Sequence, residues 1–236
     1  MPPLQAYLLG SLALESVHQL QRRLAYEVSG SPLASAVIVC EHPPSITIGR
    51  HGSRGHLRLT DAELLARNWP VRWVARGGGV VLHLPGQVAF YPVVPLEVVG
   101  LTPAAYVRTL AELVLELLAS FGIVGEADFD APAIRVRGRR IAHIGVAIRN
   151  GVTGFGIVVN VAPDLESFRG IDCDGDARPM TSLQRECPQP VRIAAVRQRL
   201  LELLAARLGF ERWTVFHNHP TSLPRTTRHA IAHTGR

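Results

Sequence analysis

Arg76, Gly77, Gly78, Gly79 and His83 are the residues whose types and spacing point most directly to chemistry. Three consecutive glycines strip side chains from a strand end, so a thin ligand can pass close to the backbone and main-chain amides can face a carbonyl or an oxyanion. Arg76 and His83 bracket that run as hydrogen-bond donors. The same glycines would also serve tight turns and bulges, with Arg76 solvated. The three cysteines, Cys40, Cys173 and Cys187, form no CxxC pair, which excludes a disulfide framework or a zinc site of familiar spacing and leaves room for a working thiol. Cys40, inside the apolar run AVIVCEH, reads as a core thiol, and Cys187, between Glu186 and Pro188, has no assigned role.

Elements must hold these residues in place. Leu14, Val17, Leu20, Leu24 and Val28 recur at helical spacing, and residues 36–40 read as a buried strand, so the chain is expected to start helix then strand. Thr60 and Glu63 have the spacing of a capping box and announce a second helix to about Arg67. Residues 71–74 form a strand feeding the glycine run, and 88–94 resume an extended pattern, together a hairpin-like element around a loop. Thr102 caps a third helix with Pro103 in its first turn and Tyr106, Leu110, Leu113, Val114 and Leu117 on one face. Short strands at 133–136, 141–148 and 154–161 follow as a meander, and a last helix over 191–208 is closed by Gly209. Without a regular βα repeat, the fold class expected is α+β with a mixed sheet packed against helices, one domain over residues 1–214 and a mobile tail over 215–236.

The chain has 236 residues, 47% of them hydrophobic, enough for one compact core. No apolar stretch is long enough to span a bilayer, and the start lacks a basic leader region, so the reading is cytoplasmic with no membrane partner. The formal charge of +6 rests on arginine alone, since no lysine occurs. No aromatic-interleaved basic stripe or nucleic-acid motif is present, which sets nucleic acid aside and leaves an acidic protein partner, steered by charge.

The run RGGGVVLHLPGQVAFYP, with EHPPSITIGRHG before it, GRRIAHIGVAIRNGVTGFGIVVNVAPDL after it and TSL beyond a polar loop, resembles the octanoyltransferase family of the biotin/lipoate protein ligase superfamily. The motifs stand in the family's order over residues 41–183. The resemblance implies the biotin/lipoate-ligase-like catalytic fold, with a tunnel for an acyl chain. It implies transfer of an octanoyl group from octanoyl-acyl carrier protein, through a cysteine thioester, to a lysine of lipoyl domains of 2-oxoacid dehydrogenases and of the glycine cleavage H protein. No cofactor is expected. Carried over residue by residue, it assigns Cys173, Arg140 and His83 to catalysis. Substrate binding falls to Arg76, Gly77, Gly78, Gly79, Val80, Val81, Leu82 and His83, with His143, Ile144, Gly145, Phe155, Gly156 and Ile157.

Three positions depart from the family pattern. Arg140 stands where the family carries a lysine, and a guanidinium cannot act as a general base, though it can lower a nearby thiol's pKa. The family's NPCG loop reads DCDG, which aligns Asp174 with the cysteine and sets Cys173 one residue early. Gly154, Phe155 and Gly156 replace an aromatic-His-Gly run, while His143 is a histidine the family usually lacks. In a regular strand His143 would face away from Arg140, which favours a structural role over a proton shuttle and leaves His83 as the better base. Two function classes follow: an active octanoyltransferase, or a diverged non-catalytic relative that binds acyl or lipoyl-domain partners. Ligation with ATP is set aside because ligases of the superfamily use a lysine absent here.

Overall fold

The computed structural model describes residues 3–30, 34–129, 133–175 and 177–217. It opens with a strand, β1 (Leu4–Ser11), ahead of the first helix, α1 (Leu14–Gly30). This corrects the expected helix-first start: QAYLLGSLAL is one apolar run whose period does not show where strand gives way to helix. Then come β2 (Ala36–Glu41), β3 (Ser45–Ile48), α2 (Asp61–Ala66), β4 (Val71–Trp73), β5 (Val80–His83) and β6 (Gln87–Val93). The second half holds α3 (Pro103–Ser120), β7 (Glu126–Asp128), β8 (Ala133–Val136), β9 (Arg139–Arg149), β10 (Val152–Asn160), α4 (Leu183–Glu186), α5 (Ile193–Leu208) and β11 (Trp213–Phe216).

An eight-stranded mixed sheet runs in the order β11-β1-β2-β6-β10-β9-β8-β7, with β1 parallel to both β11 and β2 and the remaining pairs antiparallel. Its alternating side chains divide between two cores. Leu4, Ala6, Val37, Val39, Phe90 and Val159 meet α3 and α5 on one face; Tyr7, Leu9, Ile38, Tyr91 and Val158 meet α1 on the other. The α3 stripe expected from the sequence is fully buried, each such side chain being worth about 1.5–3 kcal/mol of transfer free energy. A second sheet, β4-β3-β5, packs over a third core with α2.

Local signals did what their chemistry requires. The Thr60 hydroxyl accepts from the Glu63 amide at 3.2 Å while the Glu63 carboxylate accepts from the Thr60 amide at 2.7 Å, completing the capping box. Gly209 closes α5 with φ of 74°. The hairpin expected across the glycine run is not formed: β4 and β5 flank β3 in the small sheet, and β6 belongs to the large one. The short β3, inside SITIGR, intervenes between strands that look adjacent in the sequence. The expected tail also begins inside structure, because Val215 and Phe216 pair with Ala6 and Tyr7; its remainder, residues 218–236, lies outside the described residues. Among the described residues no helix is long and apolar enough to cross a membrane.

Candidate active site

One irregularity in β9 builds the centre of the site. Arg135 and Ile134 of β8 are consecutive, yet they pair with Arg140 and Ala142, leaving Ile141 as an extra residue. Such a bulge shifts the side-chain alternation by one. Arg140 and His143, which a regular strand would place on opposite faces, are thereby brought together, with Nη1 of Arg140 3.2 Å from Nδ1 of His143. The expectation of a structural role for His143 rested on a strand without this bulge. The segment 179–181 seals the bulge by exchanging backbone hydrogen bonds with Arg140.

Between these two side chains sits Asp174. Its φ of 53° is left-handed, a conformation aspartate tolerates better than most residues, and the resulting kink sends adjacent side chains in different directions. One carboxylate oxygen accepts from the Gly79 amide at 2.5 Å. The other accepts from Arg140 and lies 3.0 Å from Nδ1 of His143. Burial works against the charge on Asp174, but the hydrogen bond from His143 and the charges of Arg140 and Arg76 outweigh it and hold the carboxyl well below the usual range. An ionised carboxylate can only accept, so the proton of neutral His143 belongs on Nδ1, pointing at Asp174. The approach of Arg140 to that nitrogen is then a consequence of both groups sharing one oxygen. Burial keeps His143 below its ordinary pKa, hence neutral near pH 7. Its Nε2 is buried and has no partner among the described residues.

Cys173 goes the other way. Its side chain is fully buried in the third core with Ile46, Ile48, Leu82 and Phe168, and burial pushes its thiol up to about 12. The thiol expected as nucleophile thus packs away from the cavity, and Asp174 occupies the place that the resemblance gives to a cysteine. Neither Cys40, fully buried with its thiol also pushed up to about 12, nor Cys187 reaches the site.

His143 and Asp174, backed by Arg140, meet Arg76 and His83 around a cavity of about 20 Å³, room for about one water. Arg76 is buried and tied to the Thr47 hydroxyl at 2.8 Å and to the carbonyls of Gly77 and Gly79 at 2.9 and 3.0 Å. The Thr47 hydroxyl accepts from Arg76 and lies 3.0 Å from Nε2 of His83. Burial, first, and the surrounding positive groups hold His83 well below its ordinary pKa. Gly79 and Gly145 permit the close approach: a Cβ on Gly79 would lie 2.6 Å from Cα of Asp174, and one on Gly145 would lie 3.0 Å from the Arg76 side chain. The Gly77 and Gly79 amides are not open to a ligand carbonyl, since Val146 and Asp174 occupy them.

Of the expected binding residues, Arg76, Val81, His83, His143, Ile144, Gly145, Phe155 and Gly156 line this cavity. Val80 and Leu82 alternate away from it into the third core, and Ile157 into the first. Leu14, His18, Thr47, Tyr91, Val158 and Asp174 join the lining without having been assigned there. For Asp174 the alignment of DCDG was the available signal; His18 had none, being one more position on an amphipathic helix. His18 and Phe155 meet edge to face with ring centroids 4.8 Å apart and form a partition. On its far side lies a groove of about 580 Å³, lined by Ala25, Trp73, Val74, Ala147 and Ile148 and rimmed by Arg22, Arg50 and Arg149.

Comparison with known proteins agrees with this geometry. Residues 15–205 match the family described as the lipoyl protein ligase A/B catalytic domain. A protein named octanoyltransferase from Chloroflexus aggregans is 38% identical over 210 residues, 87% of this chain and 95% of that protein. Another of that name from Geobacter metallireducens is 35% identical over 207 residues, 86% and 94% of the respective chains. Among solved structures, a lipoate-protein ligase A bound with ATP superposes with a TM-score of 0.71 at 17% identity, covering 93% of this chain and 91% of that one. The bi-partite lipoate protein ligase of Thermoplasma acidophilum, studied with its E2 lipoyl domain, gives 0.65 at 16% identity over 93% and 89%. The structural likenesses bear out the expected fold, and the sequence likenesses, running nearly end to end, place the chain in the octanoyltransferase family, on the lipoyl protein ligase A/B catalytic domain.

Proposed function

We propose that this chain transfers an octanoyl group from the thioester of an acyl carrier protein to the lysine of a lipoyl domain, those of 2-oxoacid dehydrogenases and the glycine cleavage H protein being the acceptors. The observation that carries the reading is a buried pocket lined by Arg76 and backed by Arg140, beside a largely apolar groove, in a chain that matches octanoyltransferases over nearly their whole length. The groove of about 580 Å³ is of the size that takes small organic ligands, and its walls of Ala25, Val74, Ala147 and Ile148 suit an alkyl chain. Two guanidiniums against one carboxylate leave a net positive charge beside the pocket, the sign a thioester carbonyl acquires a partner for as it becomes an oxyanion. Arg22, Arg50 and Arg149 at the groove's rim suit acidic carrier domains, whose encounter they would speed at low ionic strength.

The test is incubation of the full chain with octanoyl-acyl carrier protein and an unmodified lipoyl domain. A mass increase of one octanoyl group on the domain, absent when the domain's lysine is replaced, is the expected result. Binding of both partners without that increase would mark a carrier-binding relative instead.

A further inference from the structure

We infer that His143, oriented by Asp174, is the general base of this enzyme and that the acyl group passes directly from thioester to amine without an acyl-enzyme. The inference rests on the acyl-transfer reading above and supplies its mechanism. Three observations lead to it. The sulfur of Cys173 is sealed in the third core, so the thiol that would carry an acyl group is out of reach. Asp174 is held by Arg140, His143 and the Gly79 amide, which leaves its oxygens as spent acceptors, poor at attacking a carbonyl. His143 keeps one ring nitrogen on Asp174 and presents the other, buried and without a partner among the described residues, in a side chain that lines the pocket.

A carboxylate behind an imidazole fixes the tautomer and stabilises the imidazolium that forms when the far nitrogen takes a proton. In the step proposed, the neutral amine of the acceptor lysine attacks the thioester carbonyl carbon. The C–N bond forms, the carbonyl electron pair moves to oxygen, and the nitrogen's proton passes to Nε2 of His143. The oxyanion, facing the charge of Arg76, then re-forms the carbonyl, and the C–S bond breaks. The departing thiolate takes the proton back from Nε2, so the products are an amide and a free thiol, with His143 returned to its starting state. No oxidant, nucleotide or further reactant enters.

Such a route needs both substrates bound at once, whereas an acyl-enzyme exchanges them in turn. The experiment combines intact-mass analysis of the protein after octanoyl-acyl carrier protein alone with two-substrate initial rates of the wild type and His143→Gln. Expected are no octanoyl adduct, intersecting double-reciprocal lines, and a fall in kcat of about 100-fold or more in His143→Gln with KM for the carrier little changed. The wild-type rate should also rise with pH through a pKa below 6.5, and that limb should be missing in the variant; a purely structural histidine would not move it. Transfer through an adduct on Asp174 or Cys173 with parallel lines, or full activity in His143→Gln, overturns the direct route and leaves the transferase function standing. Absence of transfer by the wild type overturns both.

Discussion

Cys173 and Asp174 are consecutive in the chain and belong to different compartments: the thiol lies in an apolar core beside Ile46 and Leu82, and the carboxylate accepts from Gly79 and Arg140 at the pocket. The left-handed backbone at Asp174 makes that divergence. With burial holding its thiol up at about 12, Cys173 carries almost no thiolate at pH 8. Timed alkylation read by peptide mass should modify the half-buried Cys187 in the native protein and reach Cys173 and Cys40 only after denaturant is added. Native labelling of Cys173 would show that its compartment opens.

Asp174→Asn removes the counter-charge that Arg140 and Arg76 face. Breaking a buried ion pair from one side costs about 3–5 kcal/mol, and Asp174 has only 11% of its side chain exposed. Urea unfolding should register a loss near the lower end of that range. Combining it with Arg140→Met should recover part of the loss, and simple additivity of the two would contradict the coupling.

Acid should unfold the protein earlier than its carboxylates alone require. Burial holds His18 and His42 down at about 4, and His83 and His143 also lie below 6.5. A histidine whose folded pKa is depressed contributes stability above its unfolded value, and that contribution is lost as pH falls through the interval between the two. Each adds a slope of about 1.4 kcal/mol per pH unit between about 6.5 and its folded pKa. Unfolding free energy measured from pH 7 to 4.5 should therefore fall steadily, and the His42→Phe and His83→Phe variants should each flatten the slope.

Gly79→Ala places a methyl group 2.6 Å from Cα of Asp174, a backbone atom that cannot swing aside. The carboxylate must shift relative to His143, so kcat should fall at least tenfold while the thermal midpoint shifts by only a few degrees. An unchanged kcat would mean that the spacing of Asp174 from the glycine loop is immaterial.

Phe155 holds φ of 57° in the left-handed region, which costs an aromatic residue about 1–3 kcal/mol, and with His18 it separates the small pocket from the wide groove. Phe155→Gly relieves the strain and removes the partition. Relative kcat/KM for dodecanoyl over octanoyl thioesters should rise several-fold, and an unaltered chain-length profile would place the acyl chain elsewhere.

What the sequence made legible was local. Helices announced by caps and stripes, such as α2 from Thr60 and Glu63 and α3 from Thr102, lie where those signals put them, because their stabilising contacts are a few residues apart. The ordered motifs likewise foretold the fold and gathered Arg76, His83, Gly145 and Gly156 at one cavity. Long-range pairing left no comparable mark. Nothing in SITIGR shows that β3 will lie between β4 and β5, and nothing near residue 1 shows that β1 will be flanked by β2 and β11. The role of His143 was hidden for a related reason, since the bulge depends on how β8 pairs with β9.

That extra residue in β9 makes reactivity here a matter of counting. Drawing Ile141 into a regular ladder with β8 would retain the imidazole, the guanidinium and the carboxylate, yet turn position 140 to the face opposite position 143. An inventory of the side chains would find every part present in a protein whose parts no longer meet.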